Sequence, residues 1–248
     1  MKRTIAIGDI HGGLKALVQL LQKIDITPDD TLIFLGDYVD GWSDSANVVS
    51  YLIELATHNT CVFLRGNHDD LTHHWLKTGD YNEQWLIHGG QTSIDAYKKL
   101  SSEEIKTHIG FYEQMQNFYV DEQNRLFVHA GFTNLRGPEE ENHEYSFYWD
   151  RTLWETALAL DKTLLPIHKF YPARLQLFEE IYIGHTPVTR IEESNPVKMA
   201  NIWNIDTGAA FKGKLSAMDI NSKIFWQSDP VYKLYPKEKG RNLKAFLP

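Results

Sequence analysis

Three short apolar segments near the start of the chain alternate with two amphipathic helix patterns. The apolar segments cover residues 4–7, 31–35 and 61–64, and each is followed by glycine or arginine-glycine and a polar cluster. Between them, apolar residues recur at helical spacing over residues 14–24 and 48–55. This β-α-β-α-β order predicts an α/β fold in which helices cover a mainly parallel sheet.

The remainder of the chain predicts more helices, and then strands that become antiparallel. Ser101 and Glu104 form a capping-box pattern that opens a helix through Met115, and residues 149–160 are predicted as another helix. Further strands are predicted at residues 125–128, 180–183, 202–205, 215–219 and 223–226, the last two as a hairpin.

Length and charge narrow the function classes. The 248 residues suit one domain, predicted over 1–230, and the net charge of −8 argues against broad binding to nucleic acid. No apolar stretch reaches the roughly 18 residues of a membrane span. The single cysteine, Cys61, is predicted as a buried strand residue, and its isolation favours a cytoplasmic protein.

The last 18 residues, 231–248, form a basic tail. Its charged residues are Lys233, Lys237, Lys239, Arg241 and Lys244 against Glu238. We predict a solvated surface tail, and the alternative is a docking segment for an acidic partner.

Five predicted strands end in polar clusters of one kind. The clusters supply Asp9 and His11, then Asp37 and Asp40, then Asn67 and His68, then His129, and finally His185. The carboxyl ends of parallel strands lie at one edge of a sheet, so these side chains are expected to converge. A single cluster of this kind is usually a turn or a structural histidine, but five in succession predict a shared metal site.

The ligand types indicate which metals this site would take. Carboxylates, imidazoles and one amide suit manganese, iron or zinc, whereas the lack of thiolates argues against a structural zinc site. Six candidate ligands among these eight side chains are more than one open catalytic ion needs. They suit two ions about 3.5–4 Å apart that share one carboxylate.

The five motifs resemble those of calcineurin-like metallophosphoesterases of the phosphoprotein phosphatase type. That family includes Ser/Thr phosphatases, small bacterial protein phosphatases and symmetrical diadenosine tetraphosphatases. The resemblance runs from Asp9 to about Asp219. It implies a four-layer α-β-β-α sandwich with a dinuclear site between loops at the sheet edge.

The resemblance also implies a role for each motif residue. Asp9 and His11 would hold the first metal, Asp37 would bridge, and Asn67, His129 and His185 would complete the second. His68 would act on the leaving oxygen and Asp40 would orient its imidazole. Arg151 would bind the phosphate, although a salt bridge at a helix start is the alternative for this residue.

One departure from the family pattern concerns phosphate binding. The family places an arginine directly after the residue that matches Asp40, and here that position is Gly41. Arg151 would then act alone, another group would compensate, or substrate affinity would be low.

The predicted function is hydrolysis of phosphomonoesters by a dinuclear enzyme, with manganese as the metal and iron or zinc as alternatives. A Ser/Thr protein phosphatase is the main interpretation, and a symmetrical diadenosine tetraphosphate hydrolase is the alternative. A catalytically silent scaffold and a nuclease are the rivals from other classes. The expected partners are a phosphorylated protein or a small phosphoester, without nucleic acid or membrane, and a monomer is expected.

Three further patterns are weaker. Residues 208–214 match most of a P-loop, but Leu215 follows where Ser or Thr is needed, so we reject that interpretation. Residues 88–92 are predicted either to line the entrance of the site or to start a helix. Five of the seven tryptophans are predicted mainly as core, with one or two at the rim of the cleft; these five are Trp42, Trp75, Trp85, Trp149 and Trp154.

Overall fold

The computed structural model describes residues 2–242, which form ten strands and nine α-helices. The strands are β1 (Thr4–Ile7), β2 (Thr31–Phe34), β3 (Thr60–Phe63), β4 (Phe118–Val120), β5 (Arg125–Val128), β6 (Glu180–Ile183), β7 (Val197–Met199), β8 (Ile202–Asn204), β9 (Ser216–Asp219) and β10 (Phe225–Gln227). The helices are α1 (Leu14–Ile24), α2 (Ser45–Leu55), α3 (Asn67–Thr78), α4 (Glu83–Trp85), α5 (Gln91–Tyr97), α6 (Ser102–Glu113), α7 (Tyr145–Trp149), α8 (Thr152–Ala159) and α9 (Val231–Leu234).

The strands form two five-stranded sheets, ordered β10-β9-β1-β2-β3 and β4-β5-β6-β8-β7. β1, β2 and β3 pair in parallel, as the alternation of strands and helices predicts. β5, β6 and β8 are also parallel, whereas β9 and β10 form the predicted antiparallel hairpin. The five polar clusters were expected to lie at the edge of one sheet. This expectation was wrong, because the clusters are divided between the two sheets.

Side-chain alternation along the strands explains the layers. Ile5 and Ile7 pack with α1 and α2 on the outer face of the first sheet, whereas Ala6 points the other way. Ala6 belongs to a buried cluster with Phe127 and Tyr182 of the second sheet. α7 and α8 cover the outer face of that second sheet. The arrangement is the α-β-β-α sandwich that the family resemblance implies.

The helix expected over residues 149–160 is in fact interrupted. α7 ends at Trp149, Asp150 is extended, and α8 begins at Thr152. The Asp150 carboxylate accepts hydrogen bonds from the backbone N–H groups of Thr152 and Leu153, at 3.0 Å each. These contacts satisfy the free N–H groups at the start of α8 and explain the break.

Other local predictions differ from the structure in smaller ways. The three-residue strands β4 and β7 were not predicted, and both lie at sheet edges. Cys61 lies in a strand as expected but is half-buried rather than buried. Burial raises the pKa of its thiol to about 11, which opposes a role as a nucleophile.

The described part of the C-terminal segment packs against the domain. Tyr235 is buried and stacks on Trp42, with ring centroids 5.4 Å apart. The Glu238 carboxylate accepts hydrogen bonds from the backbone and side chain of Ser43. Lys244 of the predicted basic tail lies outside the described residues. Among residues 2–242, none of the helices has the length and hydropathy that crossing a bilayer requires.

Candidate metal centre

Loops at the carboxyl ends of five strands meet around the Asp37 carboxylate. Asp37 Oδ2 lies 3.4 Å from His11 Nε2, at the end of β1, and 3.4 Å from His129 Nε2, at the end of β5. The two imidazoles therefore approach one carboxylate oxygen from two sheets. A bridging ligand between two cations requires this placement.

The remaining predicted ligands surround this oxygen. Asn67 Oδ1 lies 3.0 Å from His185 Nδ1 and 3.3 Å from His129 Nε2. The histidine and carboxylate donors near this oxygen also form two groups, and within each group all donor atoms lie within 4.8 Å of one another. The groups are His11, Asp37 and His68 on one side, and Asp37, His129 and His185 on the other.

Asp9 has a buried carboxylate oxygen that is suited to bind a cation. Its Oδ2 accepts a hydrogen bond from the backbone of His185 at 3.0 Å and lies 3.9 Å from His11 Nε2. Its Oδ1 is buried and, within residues 2–242, has no hydrogen-bond partner. Burial, followed by the nearby Asp206 carboxylate, raises the pKa of Asp9 well above its usual value. A metal ion would satisfy the free oxygen and neutralise this crowded negative charge.

Carbonyl oxygens set the tautomers of two histidines. His11 Nδ1 lies 2.9 Å from Asp40 O, and His129 Nδ1 lies 2.7 Å from Leu35 O. A carbonyl oxygen only accepts, so each Nδ1 must donate its hydrogen. The lone pair then belongs to Nε2, the atom that faces Asp37 and can bind a metal. The residues present fit two divalent cations.

The backbone is strained where it presents these ligands. His11, Asp37, Asp40 and His185 all have left-handed backbone conformations, with φ between 51° and 69°. Such values are uncommon for residues other than glycine and cluster at functional sites. Gly184 is required beside them, because a Cβ at this position would collide with Asp9 Oδ1. The fold therefore holds uncommon backbone conformations where it places the site residues.

His68 and Asp40 form a buried pair beside the centre. His68 Nδ1 lies 2.7 Å from Asp40 Oδ2, and Asp40 is fully buried. Trp85 Nε1 donates to Asp40 Oδ2 and Ser93 Oγ donates to Asp40 Oδ1, each at 2.5 Å. The carboxylate is thus held by these three donors and by Thr72 Oγ1, which donates to Oδ1 at 3.4 Å, and in turn orients the imidazole. Since Nδ1 donates to Asp40, Nε2 of His68 is the atom left for chemistry.

Sequence reasoning missed several residues around this centre, among them Asp206, Trp85 and Ser93. Asp206 follows β8 as Asp9 follows β1, so the strand-end pattern could have identified it. Burial, and then Asp37, raises the pKa of Asp206 to about 6. Trp85 and Ser93 belong to helices distant in sequence from Asp40, and no local pattern marks them.

The centre opens into a cavity of about 500 Å³ whose wall carries three arginines. Arg151 Nε lies 3.3 Å from His185 Nε2, and Arg241 Nη1 lies 3.4 Å from His11 Nε2. Arg190 is the third. Burial, followed by the positive charge of Arg190, lowers the pKa of Arg151. The sequence analysis identified Arg151 but neither of the others.

Some of the tryptophan and histidine residues singled out in the sequence lie at the cavity, and others lie in the core. Trp149 lies at the rim of the cavity and is 43% exposed, whereas Trp42 and Trp154 are buried in the core. His88 lines the cavity, and Gln91 begins α5, so residues 88–92 combine both predicted roles. Residues 208–214 lead into strand β9 rather than a helix, in agreement with the rejection of a P-loop.

Known proteins are similar to this chain in sequence. The family model described as calcineurin-like phosphoesterase matches residues 2–202. A protein of Oceanobacillus iheyensis named bis(5′-nucleosyl)-tetraphosphatase PrpE (asymmetrical) is 27% identical over 88% of this chain and 89% of its own length. A protein of the same name from Bacillus thuringiensis is 29% identical over 86% of this chain and 88% of its own.

Solved structures show the same fold. A protein described as a candidate diadenosine tetraphosphatase aligns with a TM-score of 0.63 and 20% identity, over 91% of this chain and 92% of the other. A Ser/Thr protein phosphatase from Saccharomyces cerevisiae aligns with a TM-score of 0.60 and 14% identity, over 92% and 80% of the chains. At these identities the similarity concerns the fold alone.

Proposed function

We propose that this chain, which belongs to the calcineurin-like phosphoesterase family, hydrolyses bis(5′-nucleosyl) tetraphosphates. The observation that carries the proposal is the name shared by the relatives that align over 86–88% of the chain. Those relatives are named asymmetrical, whereas the alternative drawn from the sequence was a symmetrical hydrolase. We therefore propose cleavage into a nucleoside monophosphate and a nucleoside triphosphate.

The cavity supports a substrate larger than a single phosphate. A volume of about 500 Å³ lies within the range of small-molecule sites, and a tetraphosphate brings several negative charges. Arg151, Arg190 and Arg241 supply positive charge along the wall. The exposed face of Trp149 at the rim offers a surface on which a nucleobase can stack. Both features suit a nucleotide with a phosphate chain.

The reaction requires water to add to one phosphorus atom while one P–O–P bond breaks. Two divalent ions, when bound, would lower the pKa of the attacking water and offset charge on the phosphate. Asp9, His11, Asp37, Asn67, His129 and His185 would hold them. His68, oriented by Asp40, would donate a proton to the leaving phosphate oxygen. Arg151 would bind the oxygens of the phosphate under attack.

The sequence-based preference for a Ser/Thr protein phosphatase has weaker support. The yeast phosphatase shares only the fold with this chain, and the aligned relatives carry a different name. A phosphopeptide therefore serves as a comparison substrate. Manganese as the metal, a cytoplasmic location and a monomeric state remain proposals of the sequence analysis.

The purified protein, loaded in turn with manganese, iron or zinc, should be offered diadenosine tetraphosphate, a phosphopeptide and an aryl phosphate. We expect the highest kcat/KM for the dinucleotide, with AMP and ATP as products on anion-exchange chromatography. Two molecules of ADP would contradict asymmetrical cleavage. A higher kcat/KM for the phosphopeptide would favour the protein phosphatase, and no turnover of any substrate would favour the silent scaffold.

The Trp85→Phe variant tests whether the hydrogen bond from Trp85 to Asp40 supports the His68–Asp40 pair. The change keeps an aromatic side chain but removes the N–H that donates to Asp40 Oδ2. We expect kcat to fall by about threefold to tenfold, because a charge-assisted hydrogen bond that holds the orienting carboxylate is lost. Steady-state kinetics check this, and metal content should stay the same. An unchanged kcat would show that the other donors, His68, Ser93 and Thr72, are sufficient to hold Asp40.

A further inference from the structure

Arg241 reaches the active-site cavity from the C-terminal segment, beyond the residues that match the family. Its Nη1 lies 3.4 Å from His11 Nε2. Its Nε is buried, and within residues 2–242 this atom has no hydrogen-bond partner. In the same range, no carboxylate forms an ion pair with the guanidinium group. The side chain lines the cavity, and an anion bound there would supply the hydrogen-bond acceptor that this buried donor lacks.

We propose that Arg241 binds the substrate phosphate at the His11 side of the metal centre. This inference rests on the proposed function only in that the substrate is a phosphoester. A cation held by His11 and the adjacent guanidinium group would repel each other. A phosphate oxygen between them would contact both positive charges and remove this repulsion.

The backbone of the segment fixes where the guanidinium group lies. Arg241 N donates to Ala210 O at 2.8 Å, and the guanidinium carbon lies 5.4 Å from the ring centroid of Phe211. Gly240 is needed just before, because a Cβ there would lie 2.6 Å from Trp42 Cζ2. The arginine is therefore positioned before substrate arrives, and less ordering is required on binding.

Residues that precede Arg241 in the segment contact the loop that carries Asp40. Tyr235 stacks on Trp42, and its hydroxyl donates to Asp44 Oδ2 at 2.7 Å. Glu238 accepts from Ser43 Oγ at 2.7 Å. The same loop that presents the site residues thus also binds the segment that delivers Arg241.

Gly41 provides the space that the Arg241 side chain occupies. Gly41 has φ of 130°, and a Cβ added to it would lie 3.2 Å from Arg241 Cγ. A larger side chain at position 41 would have to displace Arg241. The glycine that interrupts the family pattern and the arginine at the end of the segment are therefore parts of one arrangement.

Arg241 and Arg151 approach the centre from its two sides. Arg241 is adjacent to His11, and Arg151 is adjacent to His185. The ligands expected for the first metal and for the second metal thus each have a guanidinium neighbour. A phosphate between the metals could accept hydrogen bonds from both groups.

The test compares Arg241→Ala and Arg241→Lys with the wild type, loaded with the same metal. We expect Arg241→Ala to weaken competitive inhibition by inorganic phosphate about tenfold or more, and to lower kcat/KM for an aryl phosphate by about tenfold to a hundredfold. Arg241→Lys should recover part of the affinity through its charge. Added guanidinium ion should partly restore Arg241→Ala, because it can occupy the vacated position.

Lys237→Ala is the matched control, since it removes one exposed positive charge from the same segment. Its inhibition constant, kcat/KM and melting temperature should equal those of the wild type. The proposal is overturned if Arg241→Ala changes neither constant by more than about threefold, or if Lys237→Ala produces an equal loss. Because both readouts use phosphate and an aryl phosphate, they remain informative even if diadenosine tetraphosphate is not the substrate.

Discussion

His68→Asn is expected to lower kcat by about 10²-fold to 10⁴-fold while two metal ions remain bound. The range is the usual contribution of a general acid or base. The ring is held by Asp40 through Nδ1, so Nε2 can serve as the proton donor to the leaving oxygen. Asparagine keeps a polar side chain of smaller size but cannot donate a proton at neutral pH. Single-turnover kinetics and metal analysis of the same preparation measure both quantities.

Metal content decides between two roles for His68. One group of donor atoms within 4.8 Å of one another includes His68 together with His11 and Asp37, so the geometry also permits a ligand role. Loss of one ion from His68→Asn would contradict the assignment as general acid. Asp40→Asn should reproduce part of the kinetic defect without metal loss. His74→Asn, an exposed histidine of the same helix, is the control and should behave as the wild type.

The sequence was sufficient to predict the parts of the site that depend on consecutive residues. Asp9 and His11 follow a short apolar segment, and so does Asp37, because a buried strand that ends at a functional edge is encoded locally. The same reasoning predicted the capping box at Ser101, where Glu104 accepts from the Ser101 backbone at 2.7 Å. Helix starts and strand ends of this kind require no knowledge of distant parts of the chain.

Pairing between distant strands could not be predicted in the same way. An apolar strand with hydrophobic residues on both faces is compatible with one sheet or with two that stack. The distinction depends on whether Ala6 meets a helix or another sheet, and here it packs near Phe127. The short edge strand β4 also lacks a strong pattern, since three residues carry too little periodicity to be recognised.

Arg241 illustrates a further limit, because its function depends on a contact across more than two hundred residues. In the sequence, Arg241 is one of several basic residues in a charged tail, a pattern that usually indicates a solvated surface. The packing of Tyr235 and Gly240 on Trp42 helps to bring it to His11. The missing arginine at Gly41 raised the question of compensation, but the answer required the tertiary structure.

Asp37→Asn is expected to have the largest effect on the metal centre, since Asp37 belongs to both groups of donor atoms. The wild type should bind two divalent ions per chain, and chelation should abolish hydrolysis until metal is restored. The exposed Asp29→Asn makes the same chemical change away from the site and serves as the control. It should retain both ions and full activity.

The reason for the large effect is the position of one oxygen atom. Asp37 Oδ2 lies 3.4 Å from the Nε2 atoms of both His11 and His129, so it can bridge two cations with a single negative charge. Asparagine has nearly the same shape, and its amide oxygen can still accept from the His68 backbone as Oδ1 does at 2.9 Å. It has no negative charge with which to hold two cations close together. We therefore expect Asp37→Asn to bind metal about a hundredfold more weakly, or worse. This loss of metal affinity should exceed the loss caused by changing a residue that only hydrogen-bonds to a ligand. Isothermal titration with manganese measures this affinity. Two ions bound at wild-type affinity would show that Asp37 is not the bridge.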